Sequence, residues 1–199
     1  MILAGNSGRH AEATVPRDAT VERFGPGESA DDLEAGFIVL THGDHWTSRM
    51  IRFGQRLRFR GSRRRFARWN HVALVLDADG NLGEALSAGV VRTNLSKYED
   101  TDYHLVRVEC GRADREQIGA FAAAVLDSPD RTRYGWLTIF SLFLTLGFGS
   151  TLMIGKIGTA ICSGFASEAL VRMGAIFPRP PAYMMPADLA EHFSVGVER

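Results

Sequence analysis

Cys162 opens the stretch CSGFASEALVRMG, whose residues follow one another at helical spacing. A thiol becomes a useful nucleophile when its thiolate is favoured, and a helix N-terminus or a nearby imidazole does that. In a helix, Cys162, Ala166, Ala169 and Met173 share one apolar face, expected to be buried. The sulfur then lies at the positive end of the helix dipole, and the Cys162 backbone N–H is placed to serve a developing oxyanion. The competing reading is a structural cysteine that fills space in the core.

A thiol nucleophile needs a base, and the chain has six histidines. His71 begins an apolar run, HVALVLD, which reads as a strand. A base fixed at a strand end is well placed to meet a helix N-terminus packed on the same sheet. His10 falls in a polar N-terminal stretch. His42 and His45 follow the first apolar strand, in a loop that could line a site. His104 alternates with apolar residues and is expected to face solvent, and His192 to lie on the surface of a terminal helix. A third group should orient the imidazole through its other nitrogen. Glu84, inside the apolar run LGEAL, is the candidate, because a carboxylate there needs a reason. A tight two-residue turn at Asp79-Gly80 would set Glu84 opposite Val75, roughly 13 Å along the strand from His71. A wider turn or a bulge would bring the two side chains together.

The elements that must position these groups follow from local patterns. GFIVLT (36–41) reads as a strand, and Asp44 as the cap of a helix carrying Trp46, Met50, Ile51 and Leu57. HVALVLD, LGEAL, GVVRTN and YHLVRVE read as further strands, with a turn at ADGN. ADREQIGAFAAAVLD reads as a helix with Asp114 at its cap and Gln117 three residues on. A Pro-rich link precedes a short helix at ADLAEHF. Together they predict an α+β fold with a mainly antiparallel sheet. Residues 1–34 are rich in Gly, Pro and charge and are read as a loosely ordered arm, and 35–199 as the domain.

Composition narrows the classes. The chain has 199 residues, no net formal charge, 45% hydrophobic and 23% charged residues, which suits a globular domain with a sizeable core. Two cysteines do not make a disulfide scaffold, and Cys110, at a strand end, is read as structural or incidental. No charged segment followed by a long apolar run marks a signal peptide, so a cytoplasmic setting is expected, with the membrane periphery as a second possibility. No His, Cys and carboxylate cluster has zinc-ligand spacing, and neither metal nor other cofactor is expected.

In combination these motifs resemble the NlpC-type papain-like cysteine hydrolases. CSGFASEAL is similar to the family's nucleophile motif and NHVALVLD to its histidine strand. The order here, His71, Glu84, Cys162, is that of the circularly permuted branch, which includes YiiX-like proteins and the lecithin:retinol acyltransferase group. GFIVLTHGDHWTSRMIRFGQ, GEALSAGVVRTNLSKYED, RYGWLTIF and MPADLAEHF resemble other segments of that branch, so the likeness runs from about Gly36 to Phe193. The branch often carries Gly-Asp where this chain has Gly36-Phe37. The resemblance implies a papain-like fold with Cys162 as nucleophile, His71 as base and Glu84 as its orienter. It also implies a second oxyanion donor or substrate-lining group among Tyr134, His45, Trp46 and Ser163. The activity implied is a thiol hydrolase of amides or esters, an amidase or peptidase acting on peptide or cell-wall substrates. The alternatives are a lipid-directed acyltransferase or esterase, and an inactive peptide- or lipid-binding module.

Two features bear on partners. Trp136–Gly155 is long enough to span a bilayer, but a crossing there would put His71 and Cys162 on opposite sides. It is therefore read as a bent segment, either core or a lipid-facing patch. Nine arginines fall between Arg49 and Arg68, interleaved with Phe53, Phe59 and Phe66. Contact with anionic lipid headgroups or a negatively charged substrate is favoured by the resemblance, and nucleic acid is not.

Overall fold

The computed structural model describes residues 19–44, 46–86, 89–127 and 162–196. Six strands form one sheet: β1 (Ala19–Phe24), β2 (Ile38–Thr41), β3 (His71–Val75), β4 (Asn81–Leu86), β5 (Gly89–Asn94) and β6 (Tyr103–Val108). Their order across the sheet is β1-β6-β2-β3-β4-β5, and every pairing is antiparallel. The helices are α1 (Trp46–Arg58), α2 (Arg112–Leu126), α3 (Cys162–Arg172) and α4 (Pro186–His192). Short 3-10 segments run at Gly61–Arg68, Leu95–Tyr98 and Pro181–Tyr183. The molecule is thus α+β, as the strand and helix patterns predict.

Both faces of the sheet are covered, so its central strands are apolar on both sides. All four residues of β2 are buried. Along β3 the alternation sorts side chains between two cores. Val72 and Leu74 pack with the helices, while Ala73 and Val75 pack with Ala30, Leu33, Leu82, Leu95 and Tyr98. For residues 19–34 that second core corrects the reading of a loose arm, while residues 1–18 of it lie outside the described residues. β1 pairs with β6 along its whole length, Ala30 and Leu33 are buried, and the Arg107 guanidinium holds the carbonyls of Asp31 and Asp32 at 2.8 and 2.9 Å. The strand is inconspicuous in the sequence because it is an edge, with charged residues and an exposed Val21.

The same burial corrects His104. Its alternation with apolar neighbours points outward only if the sheet has a wet face, and it has none at β6. His104 is buried edge-on against Trp69, ring centroids 4.7 Å apart. Burial first, then the charges of Arg68 and Arg23, hold its pKa down at about 4. His192 is half-buried between Phe177 and Phe193, not on an open surface. The cap of α2 is Gly111, one turn earlier than expected, and Asp114 instead reaches back to accept from the Gly111 N–H. Asp44 accepts from Arg52 at 2.8 Å.

Two close approaches set the position of α3. At Gly83 a Cβ would lie 2.8 Å from Phe165, so the missing side chain is what lets α3 rest on β4. At Gly164 a Cβ would lie 3.2 Å from the Pro181 carbonyl, and the neighbouring Ser163 hydroxyl donates to the Met184 carbonyl at 2.6 Å. The first turn of α3 is therefore clamped between sheet and C-terminal segment. On the other side, buried Gln55 of α1 donates to the carbonyls of Ala67 and Trp69 and accepts from the Ala187 N–H. Met50 and Ile51 are only half-buried and Leu57 is exposed, so α1 is anchored by Gln55 rather than by its apolar residues.

Candidate active site

The site forms where β3 and β4 part. They pair only at Leu74–Gly83 and Val75–Leu82, joined by a connection wider than a two-residue turn. Extended one residue, that register sets Glu84 opposite Ala73 and diagonal to His71, within reach of a long side chain. The tension in the sequence reading is resolved between its two alternatives: the turn is wider than two residues, yet Glu84 is not directly across from His71. His71 Nε2 lies 3.4 Å from Glu84 Oε1, at the long end of hydrogen bonding.

Beyond Gly83 the ladder stops, and the backbone N–H of Val72 favours the charged form of the Cys162 sulfur. A second N–H, from Ser163 in the first turn of α3, acts on the same sulfur in the same direction. Cys162 is buried, and its thiol is within hydrogen-bonding reach of the His71 imidazole. With Nε2 turned to Glu84, Nδ1 is the ring nitrogen left for the thiol proton. The structure thus brings together Cys162, His71 and Glu84, which stand far apart in the chain.

Electrostatics follow from this arrangement. Burial disfavours charge on His71, but the hydrogen bonds from Cys162 and Glu84, with the charges of both, outweigh it and raise the pKa to about 9. Burial would raise the Cys162 thiol; the hydrogen bond and charge of His71, with the N–H groups of Val72 and Ser163, pull it below its ordinary value instead. Both shifts act in the direction of a thiolate–imidazolium pair. Glu84 is fully buried, and burial alone would keep it protonated. Hydrogen bonds from His71, Lys97 and Tyr98 lower it to about 2. Lys97 Nζ is 2.8 Å from Oε2, and the Tyr98 hydroxyl donates to Oε1. Burial and the Glu84 charge raise the Tyr98 pKa, so the phenol keeps its proton and acts as a donor.

Lys97 and Tyr98 are absent from the sequence reading. One signal was available: only Lys97 and Lys156 are lysines in a chain whose other cations are arginines. Of the further candidates, Ser163 sits beside Cys162 at the start of α3. Its hydroxyl is buried and occupied by the Met184 carbonyl, so only its backbone faces the sulfur. Tyr134 and His45 lie outside the described residues, and Trp46 is described only as the start of α1. Asn70 holds the loop that leads towards α1: its amide accepts from the Gly43 N–H at 3.0 Å and donates to the Gly43 carbonyl at 2.9 Å. That segment is thereby fixed one residue from His71.

Much of the arginine cluster is used in folding. Arg52 pairs with Asp44, Arg58 with Asp188 and Arg63 with Glu191, while Arg65 and Arg68 stack over Phe66 and Trp69. The run Trp136–Gly155 lies outside the described residues; among those described, no helix is long and apolar enough to cross a membrane. Among the described residues no group of three or more His, Cys, Asp or Glu side chains is placed to hold a metal ion. No protein-family model matches this chain, and no curated protein matches it.

Proposed function

We propose that this chain is a thiol hydrolase of amides or esters, with Cys162 as nucleophile, His71 as proton acceptor and donor, and Glu84 as the group that orients His71. The observation that carries this reading is the placement of a buried sulfur at the start of α3 against an imidazole whose far nitrogen faces an ionised carboxylate. An antiparallel sheet packed against the cysteine-bearing helix is compatible with a permuted papain-like fold, which we propose with it.

In the proposed reaction His71 holds the thiol proton and the thiolate attacks the substrate carbonyl carbon. The C–S bond forms as the carbonyl π pair moves to oxygen. The N–H groups of the first turn of α3 have no intrahelical partners and are suited to that oxyanion. Collapse expels the amine or alcohol, which takes the proton from His71 and leaves a thioester on Cys162. Water then attacks the thioester, giving one proton to His71, and collapse breaks the C–S bond, releasing the carboxylic acid and leaving the Cys162 thiolate beside protonated His71. Glu84 supports the imidazolium at each stage. A peptidase or amidase is the form favoured here, with esters and lipids as further substrates to screen.

Trapping the thioester tests the proposal. Mass spectrometry after incubation with panels of peptide amides, muropeptides and p-nitrophenyl acyl esters should show an acyl group on the Cys162 peptide, lost in Cys162→Ala and strongly reduced in His71→Ala. Turnover that persists in Cys162→Ala would overturn it.

A further inference from the structure

We infer that Lys97 and Tyr98 are positioning residues, which fix both oxygens of Glu84, and that Lys97 tempers the negative charge Glu84 presents to His71. The inference rests on the proposed reading for the role of His71, but its geometry stands apart from any reaction.

Glu84 lies within β4 and is wholly buried, so a carboxylate there persists only if its oxygens are satisfied. Each oxygen has a distinct set of partners. Oε1 accepts from the Tyr98 hydroxyl and faces His71 Nε2 at 3.4 Å. Oε2 accepts from Lys97 Nζ at 2.8 Å. The two oxygens therefore divide the work: one serves the imidazole, the other a cation that does not compete for it.

The donors come from a single rigid turn. In Leu95–Tyr98 the Asn94 side chain accepts from the Ser96 N–H at 3.0 Å and donates to the Asp79 carbonyl at 3.0 Å, and the Leu95 N–H donates to the Gly80 carbonyl at 2.9 Å. The turn is thus fastened to the β3–β4 connection, whose width sets Glu84 relative to His71. Leu95 and Tyr98 are buried beneath it, and the Lys97 ammonium lies 5.2 Å from the Tyr98 ring centre. The use of lysine follows from the same geometry. An ammonium makes a point contact with one oxygen. A guanidinium fork favours both oxygens of a carboxylate and would draw Oε1 away from His71 and Tyr98.

The charged and titratable groups around this site are His71 from β3, Lys97 and Tyr98 from the 3-10 turn, and Cys162 from α3. Removing the Lys97 charge leaves Glu84 more negative in effect, so His71 holds its proton more tightly. Loss of a purely structural prop would let Glu84 drift from the ring, and His71 would release its proton more easily. The two roles move the same titration in opposite directions.

The experiment is an NMR titration of the His71 ring nitrogens in the Cys162→Ala background, with Lys97→Met and Lys97→Gln added separately. His71→Gln assigns the signal. An upward shift of roughly half to one pH unit, the size of a partly screened charge a few ångströms further off, is expected in both lysine variants. Glutamine keeps a donor for Oε2 but no charge, and serves if methionine does not fold. An unchanged or lowered titration midpoint would overturn the inference. The readout uses neither thiol nor substrate, so its failure leaves the hydrolase proposal standing, and failure to acylate Cys162 leaves this one standing.

Discussion

Replacing Glu84 with glutamine removes a charge and keeps the shape, and its effect on stability should depend on pH in a definite way. In the folded protein Glu84 gives up its proton at about 2, against an ordinary value of 4.5. The unfolded chain therefore binds more protons between those values, and wild-type stability rises with pH through that window. A displacement of this size corresponds to about 3 kcal/mol, fully present above pH 4.5 and lost as pH falls towards 2. In the glutamine variant that contribution is absent at every pH. Urea unfolding followed by tryptophan fluorescence, at steps from pH 7 to pH 2.5, measures the difference between the two proteins. The gap should be about 3 kcal/mol wider at pH 7 than at full protonation of Glu84, and most of that excess should be gone near pH 2.5. Acid-sensitive groups that do not touch Glu84 cancel in the comparison, and His71 stays protonated through most of this range. A gap that stays constant across the range would refute the reasoning, because Glu84 would then not be held ionised by His71, Lys97 and Tyr98.

Three further outcomes follow from the packing. Gly83→Ala should destabilise by about 1–3 kcal/mol in the same unfolding assay, because its Cβ meets the Phe165 ring at 2.8 Å and must push α3 off β4. Ser163→Ala should cost about 1–2 kcal/mol through the lost bond to the Met184 carbonyl, while leaving the pH midpoint of Cys162 alkylation in place. His104 takes up its proton at about 4 when folded and at 6.5 when unfolded, so wild-type stability should fall as pH drops from 6.5 to 4; His104→Gln should flatten that segment of the profile.

How much of this was legible in the sequence depends on the range of the contacts involved. The helix at Cys162 and the strand at His71 announce themselves by periodicity, which is local. The third group, Glu84, stands out as a carboxylate in an apolar strand, but its distance from His71 depends on a turn whose width no residue pattern dictates. Lys97 and Tyr98 reach Glu84 only because β5 pairs with β4 and the turn after it folds back, so nothing near either residue in the chain announces the contact. The solvent-facing reading of His104 fails for a related reason. Alternation reports two faces of a strand, but whether the face of His104 is wet depends on Trp69 and the segment before it, which lie far away in the sequence and cover it. Edge strand β1 carries too few apolar residues to register as structure until β6 is beside it.

The claim on which the rest turns is that His71 holds Cys162 as a thiolate. Iodoacetamide alkylation between pH 4 and 10, quantified at Cys162 and Cys110 by peptide mass spectrometry, tests it most directly, with Cys110 as the internal control whose thiol burial pushes up. Read as the pH dependence of each site rather than its absolute rate, Cys162 should react with a midpoint well below that of Cys110, and His71→Ala should carry that midpoint up into the ordinary thiol range. A Cys162 profile that follows Cys110, or one that His71→Ala leaves unmoved, would contradict it.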